Sequence, residues 1–307
     1  MAGLAGIFRP VAGTRPRLAC EIRPEGVIAG RAAAVKRGAV ETVLAFAPLP
    51  EGALTQGLKT PNFADRAAVV AALESALGGT NSRDRAVTVV VPDAAARVLL
   101  LDFDTLPARR QEAMQVVRFR LRKMVPFEVE TAAVSYQAMA QKAGQVSVLV
   151  TVMPGEVLAE YEGAVREAGY EPGAVLPSTL AAAASLSGGG AALLVNRSQS
   201  SVTTAVTNGD EMLLHRSMEL QAEASARDEE MAQAVITAVA WFEDTLHTTP
   251  EKLHFAGEGG AQAVRESQWL RLAEPAPPVE DLAPPPGASM MTNIPVGSTA
   301  GVTGALA

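Results

Sequence analysis

A loose internal duplication is the feature that most constrains how this chain can fold. Residues 17–77 are predicted to form a strand, a turn, two further strands and a helix, and residues 191–247 repeat that order. The strands are short aliphatic runs, whereas the helices carry apolar residues at helical spacing. A chain of 307 residues is long enough for two compact units with separate cores. The pattern therefore predicts an α/β protein made of two similar halves.

The segment between the two halves has a pattern of its own. Two β-branched or aliphatic runs come first, at Ala86–Val91 and Arg97–Phe103. A helix is predicted to begin at Pro107, because the first turn of a helix tolerates a missing N–H, and to end before Pro126. Another extended run is predicted at 131–137. The apolar stripe of the predicted helix consists of Ala113, Val117, Leu121 and Met124.

This segment resembles the PilM family of type IV pilus assembly proteins. The resemblance rests on the order strand, Leu-Pro, helix with Val-Arg-Phe-Arg, and then Val-Pro-Phe. The residues that carry it are Leu106, Pro107, Val117, Arg118, Phe119, Arg120, Val125, Pro126 and Phe127. The duplicated halves resemble the actin, hexokinase and Hsp70 superfamily, to which PilM and FtsA belong. The resemblance implies an α/β, actin-like (ribonuclease H-like) two-lobed fold with an inserted α/β subdomain.

Under this fold the chain divides into six segments. They are a poorly ordered lead at 1–16, the opening portion of the first lobe at 17–85, the inserted subdomain with a return to the first lobe at 86–176, the second lobe at 177–273, a Pro-rich loop at 274–288 and a C-terminal tail at 289–307. The tail is predicted to form a last helix.

Three local predictions concern the ends and types of short elements. Asn62 is a candidate N-cap for a helix over 63–77. The acidic residues 228–230 are predicted to open a helix that ends at about His247, since negative charge favours a helix N-terminus. Residues 269–272 are predicted to be extended.

Composition excludes some classes of protein. The net charge of −7 argues against a general nucleic-acid binder. The single cysteine, Cys20, excludes an internal disulfide and fits a reducing compartment. No run approaches the roughly 20 apolar residues that a membrane helix needs, and the first residues lack the pattern of a signal peptide. We therefore expect a cytoplasmic protein that reaches a membrane only through a partner.

The resemblance implies a nucleotide cleft formed by three turns. In actin-like proteins, two hairpin turns with Asp and Gly clasp the phosphates, because glycine allows close approach of backbone N–H groups to an anion. An aspartate helps to hold Mg²⁺ through water. A third Gly-Gly turn packs against the adenine and ribose.

The first two turns of this sequence depart from that pattern. Glu21 and Arg23 replace the aspartate and the glycine of the first turn, and a proline follows that removes an N–H donor. In the second turn Asn196 replaces the aspartate and Ser198 stands where glycine is expected. The third turn stays close to the family pattern. The candidate pocket residues are Glu21, Arg23, Asn196, Ser198, Gln199, Ser200, Gly257, Gly259 and Gly260.

Two arginines at these turns leave three interpretations open. Arg23 and Arg197 are new phosphate-binding side chains, or they simply face solvent, or they form ion pairs with acids across a closed cleft. In the third case the ion pairs would replace the nucleotide as the link between the lobes.

Other candidate sites are weaker. The spacing of His215, His247 and His254 matches no common zinc pattern, so no metal site is predicted. Cys20 lies in a predicted buried strand and is expected to be an inert apolar residue.

The resemblance implies a scaffold of a type IV pilus, or of a related secretion machine. Its partner would be a PilN-like inner-membrane protein, whose short cytoplasmic N-terminal segment docks beside the inserted subdomain. Candidate partner-binding residues are Arg118, Arg122, Pro126 and Phe127. ATP with Mg²⁺ is the candidate cofactor, and two questions stay open: whether nucleotide binds, and whether subunits form rings or dimers.

Two alternatives remain. One is a functional ATPase of the same fold that binds ATP with Mg²⁺ and cycles between open and closed lobes; the altered turns argue against hydrolysis more than against binding. The other is a cell-division protein resembling FtsA. The tail at 289–307 has neither basic residues nor a strong apolar face, which counts against an FtsA-like membrane helix.

Overall fold

The computed structural model describes residues 16–32, 42–142, 144–282, 289–290 and 294–307. The predicted lead at 1–16 lies outside these residues except for Pro16. The strands are β1 (Leu18–Arg23), β2 (Gly26–Ala32), β3 (Thr42–Pro48), β4 (Ala86–Val91), β5 (Arg97–Phe103), β6 (Ala133–Lys142), β7 (Gln145–Met153), β8 (Glu171–Pro177), β9 (Ala191–Arg197), β10 (Ser201–Asn208), β11 (Glu211–Glu219), β12 (Leu253–Ala256), β13 (Val279–Asp281) and β14 (Ser289–Met290). The helices are α1 (Arg66–Gly79), α2 (Arg110–Leu121), α3 (Gly155–Glu167), α4 (Ser178–Ala183), α5 (Ala224–Leu246), α6 (Gly260–Glu266), α7 (Gln268–Leu272) and α8 (Ala300–Leu306).

The first lobe is built on a six-stranded sheet in the order β14-β3-β2-β1-β4-β8. β1, β2 and β3 form an antiparallel meander, and β4 and β8 continue the sheet in parallel. Helices α1 and α3 bury their apolar faces in the main core of this lobe. The core includes Leu18, Cys20, Ile22, Val69, Leu73, Leu77 and Tyr161. Each large aliphatic side chain buried in this way contributes about 1.5–3 kcal/mol to folding.

The second lobe repeats this topology. Its sheet has the order β11-β10-β9-β12-β13, with an antiparallel meander of three strands followed by two parallel strands. Helix α5 packs on the sheet through Met231, Val235, Ala238 and Phe242, which lie in one core with Leu193 and Val195. The predicted duplication is therefore confirmed at the level of strand order.

The inserted subdomain is a three-stranded antiparallel sheet, β5-β7-β6, with helix α2 in its core. Three residues of the predicted stripe, Ala113, Val117 and Leu121, are buried, whereas Met124 lies beyond the helix and is 44% exposed. The subdomain sheet spans only β5 to β7. Strands β4 and β8, at the two ends of the 86–176 segment, belong to the first-lobe sheet.

The C-terminal helix α8 belongs to the first lobe and packs against α4, which connects the two lobes. Gly304 allows a backbone contact between them, because an added Cβ would lie 1.9 Å from the carbonyl oxygen of Ala181. Gly301 allows a close approach to the carboxyl group of Glu21, because an added Cβ there would lie 2.3 Å from Glu21 Oε2. Within the predicted tail, Ser289–Met290 form strand β14 and Ala300–Leu306 form helix α8, which lies behind the cleft.

Four local predictions are wrong in detail. The N-cap of α1 is Asp65, whose side chain accepts from the N–H of Ala68 at 2.9 Å, and not Asn62. Helix α5 begins at Ala224, before the acidic residues 228–230, because Glu223 caps it. Residues 269–272 lie in helix α7 rather than in a strand. The Pro-rich stretch 274–288 contains strand β13 of the second-lobe sheet.

A helix that crosses a bilayer must be both long and apolar. Within the part of the chain that the structure describes, none of the helices has the length and apolar character needed to span a membrane.

Candidate functional site

The cleft between the lobes lies where β1 and β9 end, at corresponding positions of the two sheets. Among the residues that the structure describes, a cavity of about 20 Å³ lies there, and since a water molecule needs about 10–15 Å³, this space is on the scale of one or two waters. Small-molecule pockets are usually larger, at about 300–1,000 Å³. The cavity is lined by Glu21, Arg23, Pro24, Gln56, Pro92, Asp93, Ser178, Asn196, Ser198 and Ser201.

The structure brings together four of the nine predicted pocket residues. Glu21, Arg23, Asn196 and Ser198 line the cavity. Gln199 and Ser200 lie in the same turn as Ser198 but do not line it. The three glycines of the third turn, Gly257, Gly259 and Gly260, lie at the start of α6 and also do not line it.

Arg23 lines this cavity and is only 6% exposed. Its guanidinium forms ion pairs with Glu21 at 3.2 Å and with Glu25 at 3.4 Å. It also donates a hydrogen bond to the carbonyl oxygen of Arg197 in the second lobe at 3.2 Å. Arg23 therefore occupies the place of the glycine in the family pattern and links the two lobes directly.

Asn196 makes a second link between the lobes. Its amide Nδ2 donates to Ser178 Oγ and to Thr179 Oγ1, both at 2.9 Å, and to Asp93 Oδ2 at 3.4 Å. Asp93 also accepts from the backbone N–H of Thr179 at 2.9 Å and from its hydroxyl. All four residues are less than 9% exposed, so this is a buried polar network in which each bond is shielded from water.

Glu21 is the acid held most deeply in this network. Its Oε1 accepts from Arg23 and, at 2.6 Å, from Ser178 Oγ, whereas its Oε2 has no hydrogen-bond partner among the described residues. Burial raises the pKa of the Glu21 carboxyl group, and the positive charge of Arg23 and the Ser178 hydrogen bond only partly oppose that rise. The site therefore favours the protonated form of Glu21 more than water does.

The hypothesis of ion pairs across a closed cleft is wrong in its partners. Both ion pairs of Arg23 are with acids of its own lobe, and Arg197 forms no ion pair within the described residues. Burial and the nearby charge of Arg227 lower the pKa of Arg197. The lobes are joined instead by hydrogen bonds, including one from Ser198 Oγ to Gln56 Oε1 at 3.3 Å.

Backbone donors of the second and third turns are used inside the protein. The N–H of Ser198 donates to the carbonyl oxygen of Ser201 at 2.9 Å, and the N–H of Gly257 donates to that of Gly297 at 2.9 Å. The N–H of Ala261 donates to Asp281 Oδ1 at 2.6 Å. Phosphate binding at such turns depends on free N–H groups, and these three are already committed.

Cys20 lies beside Glu21 in β1 and is fully buried. Burial, assisted by the neighbouring carboxyl group, raises the pKa of its thiol to about 12. The thiolate, which is the reactive form, is therefore scarce at neutral pH. The prediction of an inert apolar cysteine is confirmed in this respect.

Among the cleft residues that the sequence analysis missed are three partners of Asn196: Asp93, Ser178 and Thr179. Asp93 follows β4 and Ser178 follows β8, and these two parallel strands end at the same edge of the sheet. Ligand and polar sites gather at the carboxyl ends of parallel strands. The signal that could have found these residues was the pair of Pro-Asp and Pro-Ser sequences at the ends of the two parallel strands β4 and β8.

A larger groove lies between the first lobe and the inserted subdomain. Its volume is about 1130 Å³. One wall is the 55–61 loop, and the other contains Pro126 and Phe127 followed by Glu128 and Thr131. Residues 154–156 at the start of α3 also line the groove, together with Arg97 of β5 and Glu219 at the end of β11 in the second lobe.

The 55–61 loop is held in place by Asn62, which is fully buried. Its Nδ2 donates to the carbonyl oxygens of Gly57 and Lys59, and its Oδ1 accepts from the hydroxyl of Tyr161 at 3.2 Å. Glu160 of α3 accepts from the backbone N–H groups of Asn62 and Phe63 at 2.8 and 3.0 Å. The loop is therefore fixed to α3, and this wall of the groove is preformed.

The four predicted partner-binding residues have different positions. Pro126 and Phe127 line the groove, and with Arg122 they also line a neighbouring cavity of about 430 Å³. Arg122 forms an exposed ion pair with Glu130 at 2.7 Å. Arg118 lines neither cavity; its guanidinium donates to the carbonyl oxygens of Val129 and Ala132 and so supports the wall from behind.

Two lobes of like topology, a polar cleft where their first strands end and an inserted α/β subdomain define the actin-like fold. Comparison with solved structures agrees. One described as "PilM-PilN type IV pilus biogenesis complex" matches with a TM-score of 0.75 and 19% identity, over 95% of this chain and 98% of that chain. The ethanolamine utilization protein EutJ from Carboxydothermus hydrogenoformans matches with a TM-score of 0.51 and 10% identity, over 98% of this chain and 93% of that chain.

At these identities the likeness shows the fold of the chain. No protein-family model matches the sequence, and no curated protein does.

Proposed function

We propose that this protein is a scaffold of a type IV pilus or related secretion machine. It acts in the cytoplasm, and a PilN-like inner-membrane protein holds it at the membrane through a short cytoplasmic N-terminal segment. The observation that supports this proposal is the match to the PilM–PilN complex over 95% of the chain. The neighbour's own description supplies the class of partner.

The groove beside the inserted subdomain suits an extended peptide. At about 1130 Å³ it exceeds the range of about 300–1,000 Å³ typical of small-molecule pockets. Its walls offer an apolar contact at Pro126 and Phe127 and charged groups at Arg97, Lys59 and Glu128. Apolar anchors surrounded by polar groups are the usual composition of a peptide site.

The cleft between the lobes supports a scaffold more than a nucleotide-driven enzyme. Arg23 and Asn196 lie at the two turns where the resemblance places a phosphate and hydrated Mg²⁺. Their side-chain donors form hydrogen bonds within the protein instead. The network supplies by direct hydrogen bonds the link that a nucleotide would otherwise provide. We therefore propose that the peptide groove, and not the cleft, is the working site of the molecule.

Calorimetric titration tests this function. A synthetic peptide of the cytoplasmic N-terminus of the neighbouring membrane component is expected to bind the purified chain with no ATP or Mg²⁺ present. Phe127→Ala is expected to weaken binding about fivefold or more, as loss of a central aromatic contact does. Phe119→Ala is the matched control, because Phe119 is 68% exposed and lines neither cavity.

Two outcomes would contradict the proposal. One is an equal effect of the two phenylalanine variants, which would place the peptide elsewhere. The other is steady turnover of ATP by the chain in the same buffer, which would support the enzymatic alternative.

A further inference from the structure

The end of α2 exposes two large apolar side chains to solvent. Phe119 is 68% exposed and Met124 is 44% exposed. Between them Leu121 is fully buried and fixes the segment to the subdomain core. Residues 119–124, which we call the α2 patch, therefore present apolar groups outward from a firmly anchored backbone.

The α2 patch is also basic. Arg120, Arg122 and Lys123 are exposed on it. Arg122 is paired with Glu130, whereas Arg120 and Lys123 have no ion pair with any residue that the structure describes. The protein as a whole carries a net charge of −7, so this local excess of positive charge is opposite in sign to the rest of the molecule.

We propose that the α2 patch rests on the surface of an anionic lipid bilayer. Basic side chains are attracted to anionic headgroups, while exposed aromatic and aliphatic side chains enter the boundary between headgroups and acyl chains. The patch combines both within one helical turn and its extension. The protein carries a net charge of −7, so an anionic bilayer would repel its acidic faces. Contact through the α2 patch would therefore set the orientation of the molecule.

The position of the α2 patch agrees with that orientation. Phe127 and Pro126 of the groove wall follow Met124 by two to three residues. This step rests on the proposed function: a short segment that leads into a membrane helix can reach the groove only if the groove lies near the bilayer. A patch continuous with the groove wall is then at the bilayer as well.

Vesicle co-sedimentation of the full chain, without peptide, tests the proposal. Binding is expected to vesicles of phosphatidylcholine and phosphatidylglycerol in a two-to-one ratio, to weaken as salt screens the charges, and to be absent with phosphatidylcholine alone. The double variant Arg120→Gln, Lys123→Gln is expected to bind roughly 25-fold more weakly, about fivefold for each charge. The control is Arg83→Gln, Arg216→Gln, which removes two exposed charges elsewhere and is expected to bind like the parent protein.

The proposal is overturned if the two double variants bind anionic vesicles equally, or if the parent chain does not bind them. Capture by soluble polyglutamate but not by vesicles would also overturn it and would indicate an acidic protein as occupant. Titration of the partner peptide separates the two proposals. Both double variants should bind the peptide as the parent does. A variant that loses vesicle binding but keeps peptide binding has therefore lost the bilayer contact alone.

Discussion

The carboxyl group of Glu21 is almost withdrawn from water, with 1% of the residue exposed. One of its oxygens accepts two hydrogen bonds and the other accepts none from the described residues. Removing an ionised carboxylate from water is costly unless its charge is well compensated. Arg23 provides some of that compensation, but its guanidinium forms ion pairs with both Glu21 and Glu25.

This environment gives stability a definite dependence on pH. Because burial raises the pKa of Glu21 in the folded protein, the folded state holds this proton more tightly than the unfolded state. The contribution of Glu21 to stability is therefore full below its ordinary pKa of 4.5 and is lost as the pH rises through the folded value. We expect the unfolding free energy of the parent protein to fall relative to that of Glu21→Gln as the pH rises from about 4, measured by urea titration at each pH.

The comparison needs a control for general effects of charge. Glu74→Gln removes an exposed carboxylate from α1 and so measures the effect of losing one negative charge. A Glu21→Gln curve that runs parallel to that of the parent would show that Arg23 and Ser178 balance burial, and one that falls relative to the parent as the pH rises would show that they outweigh it.

At the scale of elements, the contact between α4 and α8 depends on residues without side chains. Gly304 lies so close to Ala181 that an added Cβ would be 1.9 Å from its carbonyl oxygen. That oxygen belongs to a helical backbone, which cannot move away as a flexible side chain could. The two helices lie behind the cleft, so their separation also affects how Ser178 at the start of α4 approaches Glu21.

A pair of glycine substitutions isolates this contact. Gly304→Ala is expected to lower the unfolding free energy by about 1–3 kcal/mol, the usual cost of forcing extra volume into a packed site. Gly78→Ala, in the last turn of α1 with no atom near its added Cβ, is expected to raise it by up to about 1 kcal/mol, because alanine favours helices. Denaturant midpoints of the two variants measure both effects. Equal midpoints would mean that α8 is not tightly packed against α4.

The sequence predicted the type of a secondary-structure element correctly where the signal is local. The runs Ala86–Val91 and Arg97–Phe103 became β4 and β5 with the predicted boundaries, since each is β-branched or aliphatic along most of its length. Residues 269–272 became a helix, because Ser267 caps it and Trp269 packs near Phe255 with ring centroids 6.5 Å apart. That contact joins distant regions of the chain, and periodicity within four residues cannot report it.

The residues of the cleft were likewise predicted only in part. Glu21, Arg23 and Asn196 were found because the resemblance assigns a fixed role to their turns. Asp93 and Ser178 were missed, because they meet Asn196 only after three separate strands have paired in one order. The hydrogen-bond partners of a buried polar residue are a property of the assembled lobes, and sequence spacing does not contain them.

At the scale of the whole molecule, the lobes are held together by the protein's own side chains. Arg23 contacts Arg197, Asn196 contacts Asp93, and Ser198 contacts Gln56 across the cleft. In a two-lobed protein that closes on a ligand, such contacts would be made by the ligand. Here the side chains themselves supply the links of the closed arrangement, and the space left over is about 20 Å³.

We therefore expect the melting temperature of the protein to be unchanged by ATP with Mg²⁺. A ligand that binds the folded state and is present at about 100 times its dissociation constant adds about 2.7 kcal/mol of stability, and each kcal/mol raises the melting temperature of a chain of this size by roughly 2–4 °C. Differential scanning fluorimetry resolves such a shift easily. The partner peptide serves as the positive control, since it is expected to raise the melting temperature at the same molar excess over its dissociation constant, while Mg²⁺ alone controls for ionic effects. A rise of several degrees with ATP and Mg²⁺, beyond that with Mg²⁺ alone, would mean that the network around Asn196 opens to admit a nucleotide and that the lobes move as those of a switch do.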